Sequence, residues 1–150
     1  MHMTYDRENS LGYMTNWAGR LFVRAIERRL VGGNAGPMPV FLALQDGRAM
    51  TQTALALQAS VEQPTMANTL RRMERDGLIE RTPDPSDGRS ALVRLTALGS
   101  ERAEQAIASA VEVNGVAAAA LSPDEVSTYL KLARRIVAAL ENDSRSPESR

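Results

Sequence analysis

Apolar residues recur at helical spacing near both ends of the chain. Over residues 10–31 they lie on one face of a predicted first helix, which a serine caps and a Gly-Gly pair ends. An alanine-rich run predicts another long helix from Thr96 to about residue 120. The sequence Ser-Pro-Asp-Glu at 122–125 is a capping box, and it predicts a last helix that reaches Leu140.

Three short helices are predicted between these two ends. The apolar run 38–44 follows Gly-Pro and forms the first, and a threonine can cap the second over 51–59. The third should cover 63–76, because Pro64 is tolerated only in the first turn of a helix. Gly77 then ends this helix as a left-handed residue.

Beyond Gly77 the apolar period changes from that of a helix to that of a strand. Residues 78–81 and 91–95 are predicted to form two short strands, and the polar stretch 82–90 joins them as a long loop. The predicted order is therefore α-α-α-α-β-β-α-α. This order makes the chain mainly α and is typical of a winged helix-turn-helix, whose second motif helix enters the major groove of DNA.

Composition supports one helical domain. The chain has 150 residues, of which 43% are hydrophobic and 4% aromatic, so a core of small aliphatic side chains between helices is expected. No cysteine occurs and His2 is the only histidine, which excludes disulfides and thiolate sites and leaves no histidine in the body to activate a nucleophile. We therefore expect a protein that is not an enzyme and has no cofactor or metal.

The N-terminus lacks the apolar segment of a signal peptide, and no apolar run is as long as a membrane span. A cytoplasmic protein is the expectation. Net charge is zero, which on its own argues against a strongly basic nucleic-acid binder. Acidic residues and arginines are also equal in number between Asp46 and Thr96. DNA binding therefore depends on where the arginines lie, and not on how many there are.

The third helix separates its apolar and polar residues. Met66, Leu70 and Met73 share one face and should pack against the core. The opposite face is positive and polar, with side chains of the kinds that contact base edges or phosphates. A solvated helix face is the alternative for such a pattern. The residues expected on the outer face are Gln63, Pro64, Thr65, Asn68, Thr69, Arg71, Arg72 and Arg75.

The predicted hairpin carries a cation at its tip. Arg89 follows a glycine at the expected apex, where its guanidinium can enter a minor groove, and Asp87 is placed to orient it. A solvated arginine is the alternative here too. The positive helix that precedes the hairpin favours DNA contact by Arg89 over a merely solvated side chain.

Three motifs together resemble the multiple-antibiotic-resistance repressor (MarR) family. They are Thr65-Met-Ala-Asn-Thr-Leu-Arg-Arg-Met-Glu-Arg-Asp-Gly-Leu-Ile-Glu-Arg81, Pro83-Asp-Pro-Ser-Asp-Gly-Arg-Ser90 and Leu95-Thr-Ala-Leu-Gly99. The resemblance implies a homodimeric transcriptional regulator that binds near-palindromic double-stranded DNA. It also implies a winged lobe over 37–96 and dimerisation helices over 10–33 and 97–141. From the sequence itself, residues 142–150 are expected to form a disordered tail.

The same resemblance assigns residues to DNA. It places Thr51 and Gln52 against phosphate. The sequence departs from the family pattern at Ser60, where glycine is frequent, and at Glu62, which is a negative charge near phosphate. The DNA-binding set that it implies is Thr51, Gln52, Gln63, Pro64, Thr65, Asn68, Thr69, Arg72, Asp87 and Arg89.

Relatives of this kind often release DNA when a small aromatic or anionic compound binds. On the first helix, Tyr13, Met14, Trp17 and Arg20 are the candidates for such an effector site, although core packing or a dimer interface also explains them. A repressor relieved by an effector is the favoured function. A winged-helix protein-interaction module without DNA binding is the alternative, and the zero net charge suits it.

Overall fold

The computed structural model describes residues 5–145. The chain is mainly helical with one small antiparallel sheet, as the sequence predicts. It forms two compact units, divided between Val113 and Asn114. The elements, in chain order, are α1 (Leu11–Glu27), α2 (Met38–Leu44), β1 (Met50–Thr51), α3 (Gln52–Ala59), α4 (Gln63–Arg75), β2 (Ile79–Asp84), β3 (Asp87–Leu95), α5 (Ala97–Ala118) and α6 (Pro123–Ser144).

The caps predicted from the sequence are present. The Ser10 hydroxyl accepts a hydrogen bond from the Tyr13 N–H at 3.2 Å and so begins α1. Ser122 and Glu125 form both hydrogen bonds of the capping box that begins α6. Gly77 adopts the predicted left-handed conformation, with φ of 71°, after α4.

Three predicted boundaries are wrong. Regular α1 ends at Glu27 and not at Val31, because the N–H groups of Arg29 and Leu30 bond three residues back and tighten the chain there. At the other end, α6 continues to Ser144, so residues 142–144 are helical and not part of a disordered tail. Residues 146–150 of that predicted tail, and His2, lie outside the described residues.

The third wrong boundary is in the hairpin. Its two strands reach Asp84 and Asp87, so the connection is two residues long and not the nine predicted. The sheet order is β1-β3-β2, which makes β2 an edge strand. Pro83 has no N–H group to donate to the sheet. An edge strand tolerates this loss because it has a neighbouring strand on one side only. The sequence also did not predict β1, which pairs with β3 through Met50 and Val93.

The core of the first unit lies between α2, α3, α4 and the base of the sheet. Leu44, Leu55, Leu70 and Val93 are each at most 1% exposed. Helix α5 contributes alanines to the same cluster, and small side chains let its backbone lie close to the other elements. This packing fixes α4 by its apolar face and leaves its polar face in solvent.

Candidate nucleic-acid interface

Helix α4 separates its two faces as the sequence predicts. Met66, Leu70 and Met73 are buried to 2% exposure or less. On the outer face Thr69 is half-buried, whereas the other predicted residues are exposed. The exposed set is Gln63, Pro64, Thr65, Asn68, Arg71, Arg72 and Arg75.

The turn that precedes α4 is short and strained. Ser60 ends α3 in the left-handed conformation, with φ of 51°, and is the only non-glycine residue of the described chain with a positive φ. Its N–H group bonds to the carbonyl oxygens of Ala56 and Leu57. This conformation explains why the family pattern favours glycine at this position.

The residues assigned to phosphate contact are occupied within the protein. The Thr51 hydroxyl accepts a hydrogen bond from the Ala54 N–H at 3.2 Å and caps α3. The Gln52 side-chain amide donates to Gln63 Oε1 at 3.3 Å. The first contact begins α3, and the second links the start of α3 to the start of α4.

Two further side-chain contacts organise the exposed face of α4. The Arg71 guanidinium donates to Asn68 Oδ1 at 2.7 Å, one turn away on the same helix. Near the end of α4, Glu74 Oε2 lies 3.2 Å from Arg81 Nε on β2. The second contact is an ion pair between the helix and the hairpin, and it restrains one relative to the other.

Short polar side chains define the tip of the hairpin. One Asp84 carboxylate oxygen accepts hydrogen bonds from the Ser86 N–H at 2.9 Å and from the Ser86 hydroxyl at 2.8 Å. The other oxygen accepts from the Ser90 hydroxyl at 3.4 Å. These bonds, led by the one from the Ser86 backbone, hold the pKa of Asp84 below its usual value of 3.8.

Arg89 lies on β3 and not at the apex, which is Pro85-Ser86. Its side chain is 96% exposed. The Asp87 carboxylate accepts a hydrogen bond from the Arg89 N–H at 3.0 Å and lies 3.8 Å from its Nε. Asp87 therefore holds the base of Arg89, and the guanidinium remains open to solvent.

The end of α4 is joined to α5 through backbone groups. The Thr96 hydroxyl donates to the Gly77 carbonyl oxygen at 2.6 Å and accepts from the Gly99 N–H at 3.0 Å. The Thr96 N–H donates to the Leu78 carbonyl oxygen at 3.1 Å. This junction explains the physical role of the Leu-Thr-Ala-Leu-Gly motif that the sequence carries.

A cavity of about 500 Å3 lies beside this junction. Arg102 is one of its lining residues and is half-buried. This arginine has no hydrogen bond or ion pair among residues 5–145. Arg29 also lines it, and its Nε is paired with Glu112 at 3.3 Å. Sequence reasoning missed this cavity. The lining residues are Arg29, Leu30, Val31, Gly32, Asn34, Pro37, Phe41, Asp76, Leu78, Leu98, Arg102, Gln105, Ala106 and Ser109.

The predicted effector residues lie elsewhere on α1. The Tyr13 and Trp17 rings meet edge to face with their centroids 6.0 Å apart, and the Arg7 guanidinium lies 5.7 Å from the Tyr13 centroid. Sequence analysis did not identify Arg7 as a neighbour of this aromatic pair. Tyr13, Met14, Trp17 and Arg20 do not line the cavity.

No single helix within residues 5–145 has both the length and the apolar composition of a membrane span. Helices α5 and α6 meet these two criteria only when they are taken together as one bent pair.

Known proteins resemble this chain in sequence and in fold. The sequence model of the MarR family matches residues 42–91. Transcriptional regulator HosA from Escherichia coli O111:H- is 34% identical over 100 residues, which cover 67% of this chain and 74% of that protein. This similarity to a regulator favours DNA binding over the alternative of a protein-interaction module.

Two solved structures show the same fold. The PcaV transcriptional regulator from Streptomyces coelicolor, in complex with its natural ligand, has a TM-score of 0.82 and 24% identity, covering 93% of this chain and 99% of that chain. A mutant of MarR from Escherichia coli complexed with operator DNA has a TM-score of 0.79 and 23% identity, covering 90% and 99%. These likenesses extend over nine-tenths or more of this chain.

Proposed function

This chain is a DNA-binding transcriptional regulator of the MarR family, and from that premise we propose that it is a homodimeric repressor. Each protomer places α4 in the major groove of an operator half-site and the β2–β3 hairpin over the adjacent minor groove. A small organic anion releases the protein from DNA. The exposed polar face of α4, next to a hairpin with an open guanidinium, is the observation that carries this proposal.

The placement of the cations supports DNA binding in a chain of zero net charge. The side chains of Arg72 on α4 and Arg89 on β3 are exposed, and the only ion pair of Arg89 in the described chain is a 3.8 Å contact of its Nε with Asp87. Arg81 is more covered and lies 3.2 Å from Glu74. Open guanidinium groups on two neighbouring elements are suited to phosphates and to the narrow minor groove. Two of the acidic residues nearby, Glu74 and Asp84, are engaged in contacts within the protein.

Exposed apolar residues on the terminal helices support a homodimer. Helix α6 has no buried residue among those described. Its large apolar side chains Tyr129, Leu130 and Leu132 are each about half exposed. On α1, Leu11 is 74% exposed. A second copy of the chain would remove this apolar surface from water. Sedimentation at micromolar concentration should show a dimer, and a stable folded monomer would contradict it.

A two-fold dimer imposes its symmetry on the operator. The half-sites are expected about 10 base pairs apart, centre to centre, because the two α4 helices then enter successive major grooves on one face of the duplex. Footprinting of the DNA upstream of the coding region measures this spacing. Protection of a single, asymmetric half-site would count against the proposed assembly.

A salt-dependent mobility shift tests the DNA contacts. Wild type and Arg72→Ala are compared on a selected operator and on random duplex over a range of salt concentrations. Loss of a phosphate contact weakens both duplexes and makes the salt dependence shallower by about one. Loss of a base contact weakens the operator more than the random duplex. Equal affinity of the two proteins on both duplexes would remove Arg72 from the interface.

The cavity beside α5 supports a response to a small anion. It combines Arg102 with apolar groups from Phe41 and Leu98, and its volume falls within the usual range for ligand sites. It also reaches Asp76 and Leu78 at the end of α4, so an occupant touches the segment that positions the reading helix. The PcaV structure contains that protein's natural ligand, which is consistent with a ligand response here.

Two substitutions distinguish this cavity from the predicted site on α1. Benzoate and its neutral analogue benzamide are titrated against the protein and the protein–operator complex. We expect benzoate alone to raise Tm and release DNA, with both effects lost in Arg102→Gln and kept in Arg20→Gln. The reverse result would assign the response to the set of Tyr13, Met14, Trp17 and Arg20, and no response in any protein would contradict an anionic effector of this size.

A further inference from the structure

Arg71 is held on the outer face of α4 by a hydrogen bond. Its Nη1 donates to Asn68 Oδ1 at 2.7 Å, one turn back towards the start of the helix. Asn68 is two positions from Met66 and two from Leu70, which are both buried. Because a helix has 3.6 residues per turn, Asn68 lies on the side of α4 opposite to these two residues. The bond therefore places the Arg71 guanidinium on the exposed side, away from the core.

The positive charge of Arg71 is not paired with an acid. Two neighbouring arginines are paired: Arg75 Nε lies 3.0 Å from an Asp76 carboxylate oxygen, and Arg81 Nε lies 3.2 Å from Glu74. Arg71 instead donates to a neutral amide, and it has no ion pair within residues 5–145. Its charge is therefore available to an anion outside the protein.

The bond to Asn68 leaves most donors of Arg71 open. A guanidinium has five N–H groups, and in the part of the chain that the structure describes this is the only hydrogen bond of the Arg71 side chain. The N–H groups of its Nε and Nη2 are unused. They form one edge of a planar fork that fits a pair of acceptors, such as two phosphate oxygens or the N7 and O6 atoms of guanine.

The same bond favours DNA binding by fixing the guanidinium in advance. A free arginine side chain loses rotamer entropy when it binds, and a side chain that is already oriented loses less. Asn68 is also one of the residues that the family resemblance assigns to DNA, whereas Arg71 is not. A duplex that meets Asn68 also meets the guanidinium bonded to it.

We infer that Arg71 is a further DNA-contact residue, and that Asn68 is the positioning residue that holds it for a pair of acceptors on the duplex. This inference rests on the proposed entry of α4 into the major groove. It adds Arg71 to the set that the resemblance implies. It also assigns the contribution of Asn68 to its bond with Arg71 and not to a base contact of its own.

A double-mutant cycle tests both assignments. An operator is selected from a randomised palindromic library with the wild type. Affinities for this operator and for random duplex are then measured over a range of salt concentrations for the wild type, Arg71→Ala, Asn68→Ala and the double variant. Arg28→Ala is the control, because Arg28 is an exposed arginine outside the proposed interface. Thermal unfolding shows whether each variant is folded.

Arg71→Ala should lower operator affinity by at least about fivefold, and Arg28→Ala by less than about twofold. An equal loss on random duplex, with a salt dependence shallower by about one, would identify phosphate oxygens as the acceptors. A larger loss on the operator than on random duplex would identify guanine. A folded Arg71→Ala protein with unchanged affinity for both duplexes would overturn the contact.

Asn68→Ala should lower operator affinity by about threefold when Arg71 is present and by less than about 1.5-fold in the Arg71→Ala background, because its effect passes through Arg71. Equal effects in the two backgrounds would overturn the positioning role. A bond that only stabilises the helix would change thermal unfolding without this coupling, and it would overturn the role as well. Lost binding in Arg72→Ala with wild-type binding in Arg71→Ala would overturn this inference alone. A wild type that enriches no duplex would overturn the proposed function with it.

Discussion

The carbonyl oxygen of Leu78 occupies the place where a side chain on Gly99 would begin. A Cβ atom built on Gly99 lies 1.9 Å from that oxygen and 2.9 Å from the Leu78 carbonyl carbon. Both neighbours are backbone atoms and have no rotamer to change. Gly99 is buried in α5, so the helix and the segment after α4 are in direct main-chain contact.

Gly99→Ala should therefore destabilise the protein by about 3 kcal/mol, because one of the two backbone segments has to move. Urea unfolding measures the loss. Gly88→Ala is the control, since it has open space around its Cβ and no positive φ, and it should change the free energy of unfolding by less than about 0.5 kcal/mol. Equal stability of Gly99→Ala and wild type would contradict the close approach.

Ser60→Gly should stabilise the protein by about 0.5–1 kcal/mol. Serine pays a steric cost in the left-handed conformation that glycine does not, and the Ser60 side chain is exposed with no hydrogen bond in the described chain. Ser60→Val should instead lower stability by more than about 1 kcal/mol. Both are measured by urea unfolding. If Ser60→Gly lowered the free energy of unfolding, Ser60 would not hold a positive φ in solution.

Arg89→Ala should weaken DNA binding without unfolding the protein, because a side chain that is 96% exposed adds little to the core. Removal of one cationic contact should lower affinity and make the slope of log affinity against log salt shallower by about one. Arg28→Ala, an exposed arginine outside the proposed interface, should leave both values as they are in the wild type. A folded, dimeric Arg89→Ala protein with unchanged affinity and slope would remove the hairpin from the mechanism.

The order of the hairpin tip should depend on the ionisation of Asp84. Its pKa is lowered in the folded protein by the hydrogen bonds from Ser86, so the ionised form stabilises the turn. This contribution is fully present above pH 3.8 and is lost as the pH falls through the lowered pKa. The Ser86 amide signal in NMR spectra should follow this titration. In Asp84→Asn the signal should show no such transition, and a transition that persists there would assign it to another group.

Helices were predictable from the sequence because their signals are local. The period of the apolar residues and the caps at Ser10, Thr51 and Ser122 lie within a few residues of what they determine. The same locality identified the two faces of α4. Its exposed and buried residues follow from one period over thirteen positions.

The hairpin and the cavity were less predictable because their causes are distant in sequence. Pro83 and Pro85 indicate a loop when they are considered alone, and only the position of β2 at the sheet edge makes a proline acceptable within it. Strand β1 has two residues and exists only because β3 lies beside it. The cavity is lined from separate segments, and Arg29 and Arg102 are 73 positions apart, so no local pattern reveals it.

The buried residues of the hairpin are Ile79 and Val93, near its base. Its outer half is held by the polar contacts of Asp84 and Asp87, so it can open locally while the core stays folded. The peptide bond after Arg89 then becomes a trypsin site in the free protein. Operator that covers the hairpin should slow this cleavage, so the rate of nicking at one bond reports how much of the protein is bound, without a label or a reporter gene.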